Sequence, residues 1–412
     1  MERKNLVLLP DTIYIKKMKK NQNIVTMSEE YNIYFKNILL PYDDRWDIQV
    51  KCKYGQNLGD CWRLSNYLEK DDEFDFEIVV YNEYGEKLCS KKSRIVMVER
   101  KENVRTKVMF IGDSMTYSQK YINHIFETLR GIETVGMRSL NGNIQQEGRG
   151  GWAFEQYFNS WFEEFGLSPF LFPKGIEGKN YFGNKDFADN AADINAVTYQ
   201  YYGLNYGEMA EGQYYTKDKK LYRKNNGDEE LISENPEFEF DFGKYLERFS
   251  VEKPEIVSIL MGANDLQNCP YEKSAERIGK YINYAKRMIE EIHKTDKDIK
   301  VIVNMPVLGA EQYCWGTQLG CSGSEKMYRF NIMHACDELI NNFDNRQKEN
   351  IYLSPMIACV DPVNGFPYEY VKANKYTEET VKKQSNWVHP NFTGYCQMGD
   401  ALAAVIEEIR NI

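Results

Sequence analysis

The sequence predicts a three-layer α/β/α unit with a mostly parallel sheet, preceded by a small all-β sandwich. Two apolar runs, residues 108–111 and 255–261, read as fully buried strands, and each gives way at a glycine to a different pattern. Amphipathic helix patterns cover 275–295, 325–343 and 399–409, with a strand at 299–305 between the first two. Strands alternating with helices imply a parallel sheet, with any site at the carboxyl ends of its strands. The first hundred residues instead carry six or seven short strand patterns and no long helix.

In chain order, residues 11–15, 31–35 and 46–50 alternate or cluster in strand fashion. Residues 74–81 alternate more clearly and stop at Asn82-Glu83-Tyr84-Gly85, a turn into a strand near 87–89; residues 93–98 close the set. This spacing suggests an Ig-like sandwich over residues 1–103, with the charged run 99–103 as its linker. Residues 104–412 form the second unit. It is interrupted at about 165–248 by an insertion rich in asparagine and aromatics, among them Tyr181, Phe182, Tyr199, Tyr201, Tyr202, Tyr206, Tyr214 and Tyr215. Long irregular segments often act as lids or binding walls. These aromatics suit sugar rings, or else build a local core.

Four short blocks carry the chemistry. Gly112-Asp113-Ser114 puts a serine where a buried strand turns into a helix; there Ser114 is either a nucleophile or a helix cap. Gly148-Arg149-Gly150-Gly151-Trp152 is a turn able to bring backbone N–H groups close to a substrate oxygen. Gly262-Ala263-Asn264-Asp265 follows the second strand and aims an amide into the same crevice. Asn386-Trp387-Val388-His389-Pro390 offers an imidazole on a proline-fixed backbone.

Serine, glycine, asparagine and histidine in that order resemble the blocks of the SGNH hydrolases, also called the GDSL esterase/lipase family. The resemblance runs from about residue 108 to the C-terminus. It implies a flavodoxin-like fold, a nucleophile at Ser114 and a general base at His389. It also implies an oxyanion hole made by the N–H groups of Ser114 and Gly151 and the amide of Asn264, with Gly150 as the alternative glycine. Neither a metal nor another cofactor is implied. The family has an aspartate three residues before the histidine, and this chain has Asn386. Three arrangements remain open: a Ser-His-Asn triad, a dyad oriented by a backbone carbonyl, or a carboxylate from elsewhere, with Asp361 as the candidate. Trp152, Asp265 and Trp315 are the expected substrate contacts, with core packing the alternative for the two tryptophans.

Composition narrows the partners. A formal net charge of −10 argues against nucleic acid, and basic clusters such as Lys16-Lys17-Met18-Lys19-Lys20 read as solvated faces. No apolar run approaches the roughly 18 residues needed to span a membrane. The apolar stretch at 6–9 is too short for a signal peptide, and the nine cysteines form no zinc or disulfide pattern, so a cytoplasmic location is expected. His124, His293 and His334 sit in helix patterns without metal-ligand spacing. Exposed strand edges leave room for a homo-oligomer.

The expected activity is that of a serine esterase removing acetyl or other short acyl groups from oligosaccharides. The alternatives are a thioesterase or lysophospholipase of the same family, and a non-catalytic carbohydrate-binding protein on a decayed esterase fold.

Overall fold

The computed structural model describes residues 6–17, 30–65, 71–101, 104–140, 143–159, 168–184 and 209–412. The first hundred residues hold β1 (Thr12–Lys16), β2 (Glu30–Tyr34), β3 (Asp47–Cys52), β4 (Gln56–Asn57), β5 (Cys61–Ser65), β6 (Glu73–Tyr81) and β7 (Lys87–Val98). They make a four-stranded sheet, β1-β7-β6-β3, and a three-stranded one, β2-β5-β4. Period-two alternation decides the faces: Phe74, Phe76 and Ile78 of β6 are buried, while Glu73 and Asp75 face water. The buried set meets Ile33, Trp62 and Leu64 of the other sheet in one apolar cluster. Two sequence expectations change. Residues 87–98 form one continuous strand rather than two, and β1 pairs parallel with β7, outside the antiparallel immunoglobulin scheme.

The same cluster takes in Ala358, Cys359 and Ala401 from the far end of the chain. The buried Asn37 amide donates to the carbonyls of Ile357 (3.0 Å) and Val360 (2.7 Å), so the sandwich is built onto the α/β unit.

That unit continues with β8 (Thr106–Gly112), α1 (Ser114–Tyr117), α2 (Lys120–Thr128), β9 (Ile132–Val135), β10 (Glu147–Gly148) and α3 (Phe154–Asn159). The insertion contributes β11 (Leu171–Pro173), β12 (Tyr181–Asn184), β13 (Tyr214–Lys217), β14 (Lys220–Asn225), β15 (Asp228–Ser233), β16 (Phe238–Phe240) and α4 (Phe242–Arg248). Next come β17 (Ile256–Leu260), α5 (Ala263–Leu266), α6 (Tyr271–Thr295), β18 (Lys300–Asn304), α7 (Gln312–Leu319) and α8 (Glu325–Phe343). The chain closes with β19 (Ile351–Ser354), the hairpin β20 (Tyr368–Lys372) and β21 (Thr380–Gln384), and α9 (Phe392–Asn411).

The central sheet is parallel throughout, ordered β10-β8-β17-β18-β19, with β9 on the same edge of β8 as β10. This is the doubly wound, flavodoxin-like order, and it reverses between β8 and β17, where a crevice opens beyond the strand ends. Both faces are covered. Val108 and Phe110 pack with Tyr121 of α2 and Leu402 of α9, whereas Met109 and Ile111 pack with Met288 of α6 and Leu339 of α8. Burial on both faces is why these strands read as continuous apolar runs.

Most described aromatics of the insertion build a local core. Phe170, Phe240 and Tyr245 are buried, with ring centroids 5.0 Å apart for Phe170–Phe240 and 4.5 Å for Phe170–Tyr245. Tyr181 and Tyr215 are buried too, Phe182 and Tyr214 are half-buried, and Tyr199, Tyr201, Tyr202 and Tyr206 lie outside the described residues. No described helix is long and apolar enough to cross a membrane. Cys314 is buried and Cys321 exposed, both as free thiols.

Candidate active site

Strand β8 delivers Ser114 to the crevice through a turn that only glycine permits. A Cβ on Gly112 would meet Thr116 Oγ1 at 2.0 Å and the Leu260 carbonyl oxygen at 2.7 Å. The cap of α1 is Asp113, whose buried carboxylate accepts from the Met115 N–H at 2.9 Å; Ser114 is therefore the first helical residue, not the cap. With four residues, α1 sums few peptide dipoles, so nearby N–H donors matter more than its macrodipole.

Ser114 Oγ lies 2.8 Å from His389 Nε2. The histidine loop is held at both ends. Asn391 caps α9 by accepting from the Gly394 N–H (3.0 Å) and donates to the carbonyls of Asn364 (2.7 Å) and Phe366 (3.0 Å). Asn386 Oδ1 accepts from the backbone N–H groups of His389 (2.9 Å) and Val388 (3.3 Å). Of the three arrangements left open, the one in which the imidazole donates to the Asn386 carbonyl is not the one seen, because that oxygen accepts from the loop backbone. Asp361 does not replace it: its carboxylate accepts from the N–H groups of Val363 and Asn364 and so fixes its own turn. Among the described residues none hydrogen-bonds to His389 Nδ1. Burial, and then the Lys120 ammonium, lower the pKa of His389 below its ordinary value of 6.5.

The glycine turn is tied to β8 by the Arg149 N–H, which donates to the Gly112 carbonyl at 2.8 Å. Gly151 has φ +78°, is exposed, and its N–H has no partner among the described residues. The turn is tied to α5 as well. Asn264 Nδ2 donates to the Trp152 carbonyl at 2.9 Å, and its Oδ1 accepts from Gln267 at 3.3 Å. The amide is thereby oriented with one N–H left over. Asp265 Oδ1 accepts from the Phe154 N–H at 2.9 Å. The structure thus brings together the serine, the glycine turn, the asparagine and the histidine.

The three expected substrate contacts are all buried. Trp152 is 3% exposed, packed between the Arg149 guanidinium and the Tyr157 ring. Trp315 is fully buried against Trp387, its indole N–H donating to the Ala310 carbonyl at 3.2 Å. Asp265 is buried and positions the turn; burial pushes its pKa, and that of Asp113, up to about 7. None of the three presents a surface to a ligand.

Sequence reasoning passed over a buried ion pair beneath the turn. Glu147 and Arg149 are 3.0 Å apart and almost wholly shielded, with Tyr245 of the insertion donating to the Glu147 carboxylate at 2.7 Å. Two opposite charges spaced i, i+2 on either side of Gly148 were the available signal, since that spacing puts both side chains on one face of an extended segment. Phe392, three residues after His389, is also new, and it is 78% exposed.

Fold and site define the class: a flavodoxin-like α/β protein with a serine at the carboxyl edge of β8, at the switch point of a parallel sheet. Residues 108–402 match the family described as GDSL-like lipase/acylhydrolase, and the chain belongs to that family. Its chemistry is ester hydrolysis. No curated protein matches the sequence. Among solved structures, an acetyl esterase mutant with an acetate ion is similar at 14% identity over 74% of this chain and 99% of its own, with a TM-score of 0.34. A carbohydrate acetylesterase family member from Sinorhizobium meliloti is similar at 9% identity over 74% and 100%, TM-score 0.33. The acetylxylan esterase Axe2 from Geobacillus stearothermophilus is similar at 12% over 73% and 93%, TM-score 0.28. Likenesses this remote bear on neither substrate nor residue roles.

With His389 as the expected base, its lowered pKa puts the acid limb of kcat/KM below pH 6.5, because such a base works only when neutral. Asn386→Asp puts an anion on the histidine loop, three residues before the ring, which favours imidazolium and moves that limb to higher pH. It also raises kcat by at least about tenfold, against the roughly 10⁴-fold that a ring-holding aspartate is worth in a complete triad. A pH–rate profile of both forms checks this; an unmoved limb and an unchanged kcat would show that position 386 acts on the backbone alone.

Proposed function

We propose that the protein is a serine esterase that removes acetyl groups from oligosaccharides. The observation that carries the chemistry is the 2.8 Å contact between Ser114 Oγ and His389 Nε2, beside the exposed N–H of Gly151 and the spare N–H of Asn264. Ser114 Oγ bonds to the ester carbonyl carbon as its proton passes to His389 Nε2. The oxyanion draws on the Ser114 and Gly151 N–H groups and the Asn264 amide, each worth about 3 kcal/mol in such sites. Collapse breaks the bond to the sugar oxygen, which takes the proton back from His389. Water then repeats the sequence on the acyl-serine, releasing acetate and restoring Ser114.

The sugar reading draws support from Phe392, an exposed ring three residues after His389 in the chain, of a kind that stacks on the C–H face of a pyranose. The described aromatics of the insertion are mostly committed to their own core rather than to an acyl channel, which disfavours a long-chain lipid substrate.

Acetate release from acetylated xylo- and manno-oligosaccharides and from para-nitrophenyl acetate tests the reading. Expected is a higher kcat/KM on the oligosaccharides. Phe392→Ala raises their KM about fivefold, as expected for about 1 kcal/mol of ring contact, and leaves the nitrophenyl ester alone. Cleavage of the nitrophenyl ester with no acetate from any oligosaccharide would remove the sugar from the proposal.

A further inference from the structure

The hairpin β20–β21 carries aromatic rings that no core uses, and it leads directly into the histidine loop. In its register Tyr368 stands opposite Gln384 and Tyr370 opposite Lys382, so these four side chains share one face. The other face turns Lys383 towards α7, 3.9 Å from the Glu311 carboxylate and 5.4 Å from the centre of the Tyr313 ring. The root is fixed by the buried Gln384. Its amide donates to the carbonyls of Pro362 (2.9 Å) and Val363 (3.0 Å) and accepts from the Glu311 N–H at 2.6 Å. Beyond the root the shared face is wet. Tyr368 is 51% and Tyr370 65% exposed, with ring centroids 5.8 Å apart and ring planes at 89°. The Lys382 ammonium lies 4.2 Å from the Tyr368 centroid and donates to Asn364 Oδ1 at 3.1 Å, which leaves it further donors. The Asn364 carbonyl accepts in turn from Asn391, two residues after His389, at 2.7 Å. Contacts therefore run without a break from the histidine loop through Asn364 and Lys382 to the two tyrosines. Strand propensity would be met by a β-branched residue as well as by tyrosine, and a ring left in water adds little to a two-stranded sheet.

We infer that this face is a second contact for the substrate: a stretch of pyranose chain away from the acetylated sugar stacks on the tyrosine corner, with its hydroxyls accepting from Lys382. The inference deepens the proposed esterase function and rests on an oligosaccharide being the substrate. Two rings at right angles take the C–H face of a sugar on one wall and its edge on the other. The ammonium beside them suits hydroxyls, whereas an apolar protein partner would have to strip it of water without return. A glycan seated both at Ser114 and on the hairpin is held twice, and its second contact is intramolecular. The hairpin takes part in no bond-making step. It acts on KM, and so sets a preference for chains long enough to reach it over short acetylated sugars.

Chain length is the variable that tests it. Acetate release is followed from acetylated xylobiose and mannobiose and from the acetylated hexasaccharides of the same series. Calorimetry follows the unacetylated hexasaccharides binding to the full chain. Expected is a kcat/KM about tenfold higher for the hexasaccharides, carried by KM, as suits one stacked ring. Tyr370→Ala abolishes that gain and the hexasaccharide binding, and leaves the disaccharides and para-nitrophenyl acetate unchanged. Tyr370→Trp restores both. A tyrosine that only braced the hairpin would, when lost, disturb the histidine loop and slow every substrate alike. Equal kcat/KM at both lengths, or a gain that survives Tyr370→Ala, would overturn the inference and leave the esterase reading standing. A parent that self-associates beside a monomeric Tyr370→Ala variant would overturn it too, because the face would then join two copies of this chain. Hexasaccharide binding that Tyr370→Ala removes, with no acetate from any oligosaccharide, would uphold a glycan site on the hairpin and overturn the esterase reading instead.

Discussion

Ser114→Ala is expected to lower kcat for ester hydrolysis by about 10⁴–10⁶-fold while leaving the fold intact. The hydroxyl is half-buried and its hydrogen-bond partner is His389 Nε2, so its loss strands no buried donor in the core. Stability should therefore change by no more than about 0.5 kcal/mol. His389→Ala should cost nearly as much activity, and the double variant little more than either, because nucleophile and base act as a unit. A serine-directed fluorophosphonate should label the parent at Ser114 and leave both single variants essentially unlabelled over the same time. Residual turnover within tenfold of the parent in Ser114→Ala would take the nucleophile away from this residue. Additive losses in the double variant would place His389 in a different step.

Arg149→Met is expected to cost about 3–5 kcal/mol of stability, the range for leaving one partner of a buried ion pair alone. Glu147 and Arg149 have side chains 0% and 3% exposed, so solvent cannot take over from the missing guanidinium. Tyr245 and the Met137 N–H would still donate to the carboxylate, at 2.7 and 2.5 Å, which argues for the lower part of the range. The loss is large against the 5–15 kcal/mol typical of a folded domain. Denaturant midpoints check it, and Arg149→Met combined with Glu147→Gln should recover part of the loss because the uncompensated charge is gone. Activity should fall in Arg149→Met as well, since the pair lies directly beneath the glycine turn. A cost below about 1 kcal/mol would mean that the turn is held chiefly by its backbone ties to Gly112 and Asn264.

The parts of this molecule that were readable in the sequence are those where burial leaves a periodic trace. Strands β8 and β17 are apolar because both faces are covered, and the glycine ending each marks a turn no side chain could make. Helix α8 was read with the bounds it has, α6 was begun at 275 instead of 271, and α9 was read as 399–409 where it runs from 392 to 411. Strand β7 was split in two because Ser90, Lys91 and Lys92 interrupt its apolar pattern, although they continue the ladder to β6. Strand β5 and the hairpin β20–β21 left no clear trace: the first has Arg63 at its centre and no regular alternation, and the second is mostly exposed on both faces. At the site, residue type and order singled out Ser114, Asn264 and His389, which the fold brings to one crevice, but not the direction of a side chain. Trp152 and Trp315 look alike in sequence whether they face a sugar or the core. Asn386 looks the same whether it serves the imidazole or the loop.

Helix α9 answers to three neighbours at once. Ala401 meets the β-sandwich, Leu402 meets the central sheet, and Gly399 lets α2 so close that a Cβ would stand 2.8 Å from His124 Cδ2. The helix begins only three residues after His389. Over evolutionary time such a helix drifts slowly, since a larger residue on any face displaces a different neighbour and moves the histidine with it. The N-terminal sandwich is accordingly no exchangeable attachment: a lineage that lost it would have to re-cover one flank of α9 before the active site could keep its shape.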